Sequence, residues 1–289
     1  MFKRVIIASE LSPTAFDALD RLKGLKSLGV SECLLLQCVS PEEMNAVTAP
    51  FVRRVLEEAL ARQKAILSEQ GYAVQTRVLK GNLIDELNRI AVEEDFSLIV
   101  ASSTEHSLLG EVLLGGVARD VIHHAKKPTL LVRLAENPAD SSKKAQDCNL
   151  LEHVLFPTDF SDNARLAFDY LKAIAADGAK KVTLLHIQDL SRIAPERLDE
   201  CNQTDELRLQ ELKNALAGRE GMEVETLVLP GSPAVEIIRL VNEQKIPLVV
   251  MGSQGRGFVN ELFLGSVSHN VARHSTASVL LVPAKREAS

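Results

Sequence analysis

The sequence repeats itself at a spacing of about 150 residues, and this constrains the fold more than any other feature. Val5 to Leu22 aligns with Val154 to Leu171, placing Glu10 opposite Asp159, Ser12 opposite Ser161 and Ala15 opposite Ala164. Leu34-Leu35-Leu36-Gln37-Cys38 aligns with Thr183-Leu184-Leu185-His186-Ile187, and Gly81 to Leu87 with Gly231 to Ile237. Thr129-Leu130-Leu131-Val132 and Val279-Leu280-Leu281-Val282 close the two copies. A unit this long is a domain and not a solenoid repeat, so the chain is expected to carry two similar domains. Its 289 residues are enough for each to bury a core of its own.

Each copy reads as five strands alternating with helices. The strands are expected at 3–8, 32–39, 73–79, 97–101 and 129–134, then at 152–157, 180–187, 222–229, 247–251 and 278–283. Most are short runs rich in Leu, Val and Ile without polar alternation, as parallel strands covered on both faces require. Between them Thr14 to Ser27, Phe51 to Glu69 and Asp85 to Glu94 carry apolar residues at helical spacing. The expected fold class is therefore α/β: two tandem five-stranded, parallel, doubly wound sheets with helices on both faces. The expected domains are 1–135 and 151–284, joined by a polar, Pro-containing linker at 136–150. Pro41 to Pro50 and Asp189 to Thr204 differ most between the copies and are expected to be lids or surface excursions over the carboxyl ends of the sheets.

The candidate site follows the fourth strand of the second copy. Leu248-Val249-Val250-Met251 leads into Gly252, Gly255 three residues later, and Gly265-Ser266 at the start of a helix pattern. A strand, a glycine-spaced loop and a helix start together form an anion cradle. Glycines permit close approach of the backbone, and the first N–H groups of a helix lack intrahelical partners. In an open parallel sheet, ligands sit beyond the carboxyl ends of the strands where their order reverses. If the first and fourth strands are neighbours there, Pro157-Thr158-Asp159-Phe160-Ser161 meets this loop. Asp159 would then face a ribose hydroxyl, while the loop amides and Ser266 hold phosphates.

The first copy has lost the pattern. Ser102 replaces Gly252, Glu105 replaces Gly255 and Gly116 replaces Ser266. A carboxylate beside a phosphate site adds repulsion of about 1 kcal/mol at about 4 Å in water. This half is expected to be mainly structural, its site empty or holding a different ligand from that of the second half.

Composition excludes several classes. A net charge of −6, with no run of Lys and Arg, argues against a nucleic-acid surface. No apolar stretch is long enough to span a membrane. The four cysteines show no C-x-x-C; Cys33 and Cys38 fall on opposite faces of one expected strand and cannot pair, so free thiols in a reducing cytoplasm are expected. His186 on an apolar strand reads as a satisfied core residue. His269 and His274 are five apart, a spacing that does not put two ligands on one helical face, so no metal site is expected. Arg256 reads equally well as a phosphate contact and as a solvated loop residue. The glycine loop carries no following Lys, and there is no Gly-x-Ser-x-Gly elbow, so no catalytic residue is assigned.

With Gly252, Gly255, Gly265 and Ser266 at this spacing, and Asp159 after the first strand, the chain resembles the universal stress protein family in its tandem form. The resemblance implies a Rossmann-like fold akin to the adenine nucleotide alpha hydrolases. It also implies binding of ATP or AMP, possibly with Mg²⁺, in the second domain. Pro157, Asp159, Ile187 and Met251 would line adenine and ribose. Gly252, Gln254, Gly255, Gly265, Ser266, Val267 and Ser268 would surround the phosphates. In relatives the last strands pair two domains across a pseudo-twofold axis. The two halves are therefore expected to dock through Thr129 to Leu134 and Val279 to Pro283, and a homodimer stays open. The expected role is a nucleotide-binding stress-response regulator. A slow ATPase acting as a conformational switch and a nucleotide-independent scaffold for protein partners stay open beside it.

Overall fold

The structure, a computed structural model, describes residues 1–8, 19, 22–39, 49–103, 114–133, 149–189, 197–216, 221–255 and 264–284. Two compact units divide at Cys148 and Asn149. The first contains β1 (Arg4–Ala8), β2 (Glu32–Val39), α1 (Ala49–Glu69), β3 (Ala73–Lys80), α2 (Leu83–Glu93), β4 (Leu98–Ser103), α3 (Gly116–His124) and β5 (Thr129–Arg133). The second contains β6 (Val154–Pro157), α4 (Asp162–Ala176), β7 (Lys181–Gln188), α5 (Leu198–Leu216), β8 (Glu223–Pro230), α6 (Pro233–Gln244), β9 (Leu248–Gly252), α7 (Ser266–His274) and β10 (Ser278–Val282).

Within each unit every strand pairing is parallel. The order is β3-β2-β1-β4-β5 in the first and β8-β7-β6-β9-β10 in the second. The first strand of each unit lies between the second and the fourth, so the switch point falls at β1/β4 and at β6/β9. In β6, β9 and β10 every residue is buried. Successive side chains point to opposite faces, so both faces of these strands are covered. That explains the uninterrupted apolar runs. Each fully buried Leu, Ile or Val contributes about 1.5–3 kcal/mol.

Helix ends follow the local sequence. Asn82 caps α2 by accepting from Ile84 N at 2.8 Å and Asp85 N at 3.2 Å. Pro233 opens α6, where its missing N–H costs nothing, and Lys245 closes it in the left-handed conformation at φ 51°.

Two expectations are refined. Of the helix expected over Thr14 to Ser27, Leu19 is α-helical and the other described residues belong to a 3₁₀ helix at Leu22–Leu28. Leu22, Leu25 and Leu28 are all buried at three-residue spacing, which matches a helix of three residues per turn. The last residues of the two expected surface excursions instead belong to the first turns of α1 and α5.

Cys33 and Cys38 both lie on β2 and are free thiols. Burial pushes the Cys33 thiol up to about 12. Burial, with the Glu86 charge added, takes Cys38 to about 11. Glu10, Ser12, Glu105, Cys148 and Arg256 lie outside the described residues. Among the described residues, no helix is long and apolar enough to cross a membrane.

Candidate functional site

At the end of β6 a short loop is braced by its own side chains. Thr158 N–H donates to the Leu185 carbonyl at 2.8 Å, and Thr158 Oγ1 accepts from Phe160 N at 3.0 Å. Asp159 Oδ1 accepts from Ser161 N at 3.0 Å, an Asx turn. Ser161 then caps α4, its Oγ accepting from Ala164 N at 3.2 Å. Phe160 sits at φ 60°, a conformation costing a non-glycine residue roughly 1–2 kcal/mol, so the surroundings must hold it there.

They do so from β7 and α5. The Phe160 ring lies 4.7 Å from the His186 ring, and the Arg208 guanidinium stands 5.2 Å from its centroid. His186 Nδ1 is 2.8 Å from the Thr158 carbonyl, which it reaches as a donor. Its Nε2 is 3.3 Å from Asp205 Oδ2, and Gln188 Nε2 donates to that same oxygen at 3.0 Å. His186 is indeed a buried, satisfied residue, yet what satisfies it is the loop carrying Asp159.

The glycine loop leaves β9 alongside. Ser253 N–H donates to the Val282 carbonyl at 2.8 Å, and Gly265 N–H returns to the Ser253 carbonyl at 2.8 Å. The two described ends of the loop, through Gly255 and from Leu264, are thus tied to each other. None of its three motif glycines has a positive φ. Each is a glycine because something occupies the place of a side chain. A Cβ on Gly252 would lie 2.8 Å from Asn163 Nδ2 and 3.0 Å from its Cγ. A Cβ on Gly255 would lie 2.8 Å from Asp159 Oδ2. A Cβ on Gly265 would press on the loop backbone, 3.3 Å from the Ser253 carbonyl oxygen.

These contacts bring the separately predicted pieces together. Asp159 has one carboxylate oxygen engaged by its own turn and the other directed at Gly255. Gly265 is the N-cap of α7 and supplies no side-chain cap, so the first N–H groups of the helix keep the electropositive character of an open end. Ser266 there is exposed and Val267 half-buried. Ser268 is buried and its hydroxyl is already used, donating to the Gly252 carbonyl at 2.9 Å. Pro157, Ile187 and Met251 stand at the carboxyl ends of β6, β7 and β9, three adjacent strands. Ile187 is 8% and Met251 5% exposed. A carboxylate acceptor, an apolar strand-end wall and the N–H donors of an uncapped helix start stand together here, a combination whose chemistry fits a nucleotide.

Asn163, Asp205, Gln188 and Arg208 brace this site and were not singled out from sequence. Asn163 left one trace there: its counterpart in the first copy is Thr14. Among the described residues, no group of three or more His, Cys, Asp and Glu could hold a metal ion. In the first unit α3 also starts from an uncapped glycine, Gly115, while Ser102 takes the place of Gly252.

Comparison with known proteins agrees with this architecture. The profile of the Universal stress protein family matches residues 1–133 and again 151–283. A universal stress protein of Mycolicibacterium smegmatis is 25% identical over 276 residues, 89% of this chain and 88% of that protein. One from Methanocaldococcus jannaschii is 29% identical over 157 residues, 47% of this chain and 97% of its own length. The crystal structure of a universal stress protein from Archaeoglobus fulgidus shares the fold with a TM-score of 0.76 at 24% identity, covering 98% of this chain and 99% of that one. With the family profile matched twice along its length, the chain belongs to the universal stress protein family.

Proposed function

We propose that this protein binds an adenine nucleotide, ATP or AMP, in its second unit and acts as a regulator in the response to stress. The observation that carries this reading is the convergence of Asp159 Oδ2, Gly255 and the uncapped start of α7. In this reading Asp159 takes the ribose hydroxyls, and Pro157, Ile187 and Met251 line the adenine side. The phosphates lie against Gly252, Gln254, Gly255 and Gly265, with the N–H groups of Ser266, Val267 and Ser268 directed at them. The Ser266 hydroxyl is exposed and open to a phosphate or to Mg²⁺ carried by the nucleotide. The Ser268 hydroxyl is not, so that residue contributes through its backbone. The first unit has a structural role and binds no ATP. The same proposal joins the two halves through their last strands, whose apolar sequence would be a liability at an open sheet edge. Cleavage within 136–148 that releases separable halves would contradict that part.

Calorimetry with ATP and with AMP tests the site. Binding by the wild-type protein and by Glu105→Ala, with none by Gly255→Glu, is the expected pattern. Equal affinity in Gly255→Glu contradicts the assignment. No binding by any form leaves the scaffold reading, and phosphate release at many turnovers per minute makes the protein an enzyme.

A further inference from the structure

Asn163, the second residue of α4, is 7% exposed and fills the space that a Cβ on Gly252 would need. From there its Nδ2 donates to the Gln254 carbonyl at 3.1 Å, across to the stretch between the first two glycines. Its Oδ1 is buried and has no hydrogen-bond partner among the described residues. Asn is only a middling helix former, so α4 itself does not call for it. A buried amide with its acceptor unmatched is costly, and the bond made by its donor is what the position gains. The repeat supports a specific role. Opposite Gly252 the first copy has Ser102, and opposite Asn163 it has Thr14, so the glycine and the amide are absent together.

The direction of that bond has a consequence for the loop. A peptide unit is planar and trans, so its C=O and N–H point to opposite sides. With the Gln254 carbonyl held toward α4, the Gly255 N–H faces away from it. Gly265 lies on the loop at that point, where its Cβ would stand 3.6 Å from Gly255 N.

We propose that Asn163 is a positioning residue for the glycine loop, its amide fixing the Gln254–Gly255 peptide so that the Gly255 N–H is presented on the ligand side. The ligand side is that of the nucleotide reading above, and the proposal rests on it there; the clamp itself is a property of the ligand-free protein.

The test uses full-length Asn163→Asp and Asn163→Ala. Asp matches Asn in size and keeps an acceptor but loses the donor, so it separates the bond from simple packing. Two quantities are measured: hydrogen exchange of amides 253–255 without nucleotide, and affinity for ATP by calorimetry. Exchange about tenfold faster or more is expected in both variants, with β8 and α6 unchanged. ATP affinity is expected to fall about tenfold or more. Wild-type exchange in Asn163→Asp overturns the proposal, because packing alone would then hold the loop. If Asp at this buried position unfolds the unit, exchange in Asn163→Ala decides in the same way. Faster exchange in the variants of a protein that binds no nucleotide would keep the clamp and remove the nucleotide reading. Unchanged exchange and affinity in variants of a protein that does bind would do the reverse.

Discussion

The carboxylate of Asp159 stands where residue 255 would carry a side chain: a Cβ on Gly255 would lie 2.8 Å from Oδ2. The other oxygen, Oδ1, is held by Ser161 N at 3.0 Å, so the group has little freedom to turn aside. Gly255→Ala is therefore expected to displace Asp159 while leaving the core untouched. ATP affinity should fall about tenfold or more, about 1.4 kcal/mol, with stability within about 0.5 kcal/mol of wild type. Calorimetry beside urea unfolding measures both. Unchanged affinity would mean that Asp159 has no part in binding.

Gly252→Ala meets a harder obstacle. Besides the Asn163 side chain, its Cβ would approach the Asn163 backbone carbon to 3.2 Å, and backbone yields less readily than a side-chain tip. The second unit is expected to lose about 1–3 kcal/mol through overpacking, read as a lower urea midpoint. A midpoint equal to wild type would show that α4 and β9 separate at no cost.

Asp205→Ala removes the acceptor shared by Gln188 Nε2 and facing His186 Nε2. The buried Gln188 amide is left unmatched, and a loss of about 1–3 kcal/mol is expected. Asp205→Asn keeps an acceptor and should lose less. If the two variants unfold alike, the carboxylate is not what holds this network.

His153 makes stability depend on pH. It lies just before β6 with Nε2 2.8 Å from Thr183 Oγ1, and partial burial, with Lys181 nearby, lowers its folded value below 6.5. Below the unfolded value the unfolded chain binds a proton that the native state resists. Stability present above that point is thus lost as pH falls through the folded value. Urea midpoints at about pH 7.5 and about pH 5.5 should diverge more in wild type than in His153→Gln. Equal divergence would place the acid sensitivity elsewhere.

Strands were the legible part of this sequence because parallel strands buried on both faces are written as continuous apolar runs. The segment expected at 180–187 is Lys181–Gln188, and that expected at 247–251 is Leu248–Gly252. Leucines at 22, 25 and 28 were ambiguous, since a three-residue step suits both an α-helix and a 3₁₀ helix. The motif glycines announced a loop that must be approached closely. What approaches Gly252 and Gly255, however, includes Asn163 and Asp159 of the same protein. Asn163 reaches Gln254 across 91 residues of chain, and Asp205 reaches His186 from another helix. Such partnerships carry no local pattern, and only the folded unit reveals them.

Gly115 and Gly265 start their helices with nearly the same backbone, φ −55° and ψ 151° against φ −62° and ψ 150°. Divergence between the two copies has altered what hangs from the main chain here and spared the main chain itself. The first unit therefore keeps the helix start of the second, with other side chains around it. Exchanging Glu10, Thr14, Ser102, Glu105 and Gly116 for the residues of the other copy would ask whether those few side chains are all that sets the two domains apart.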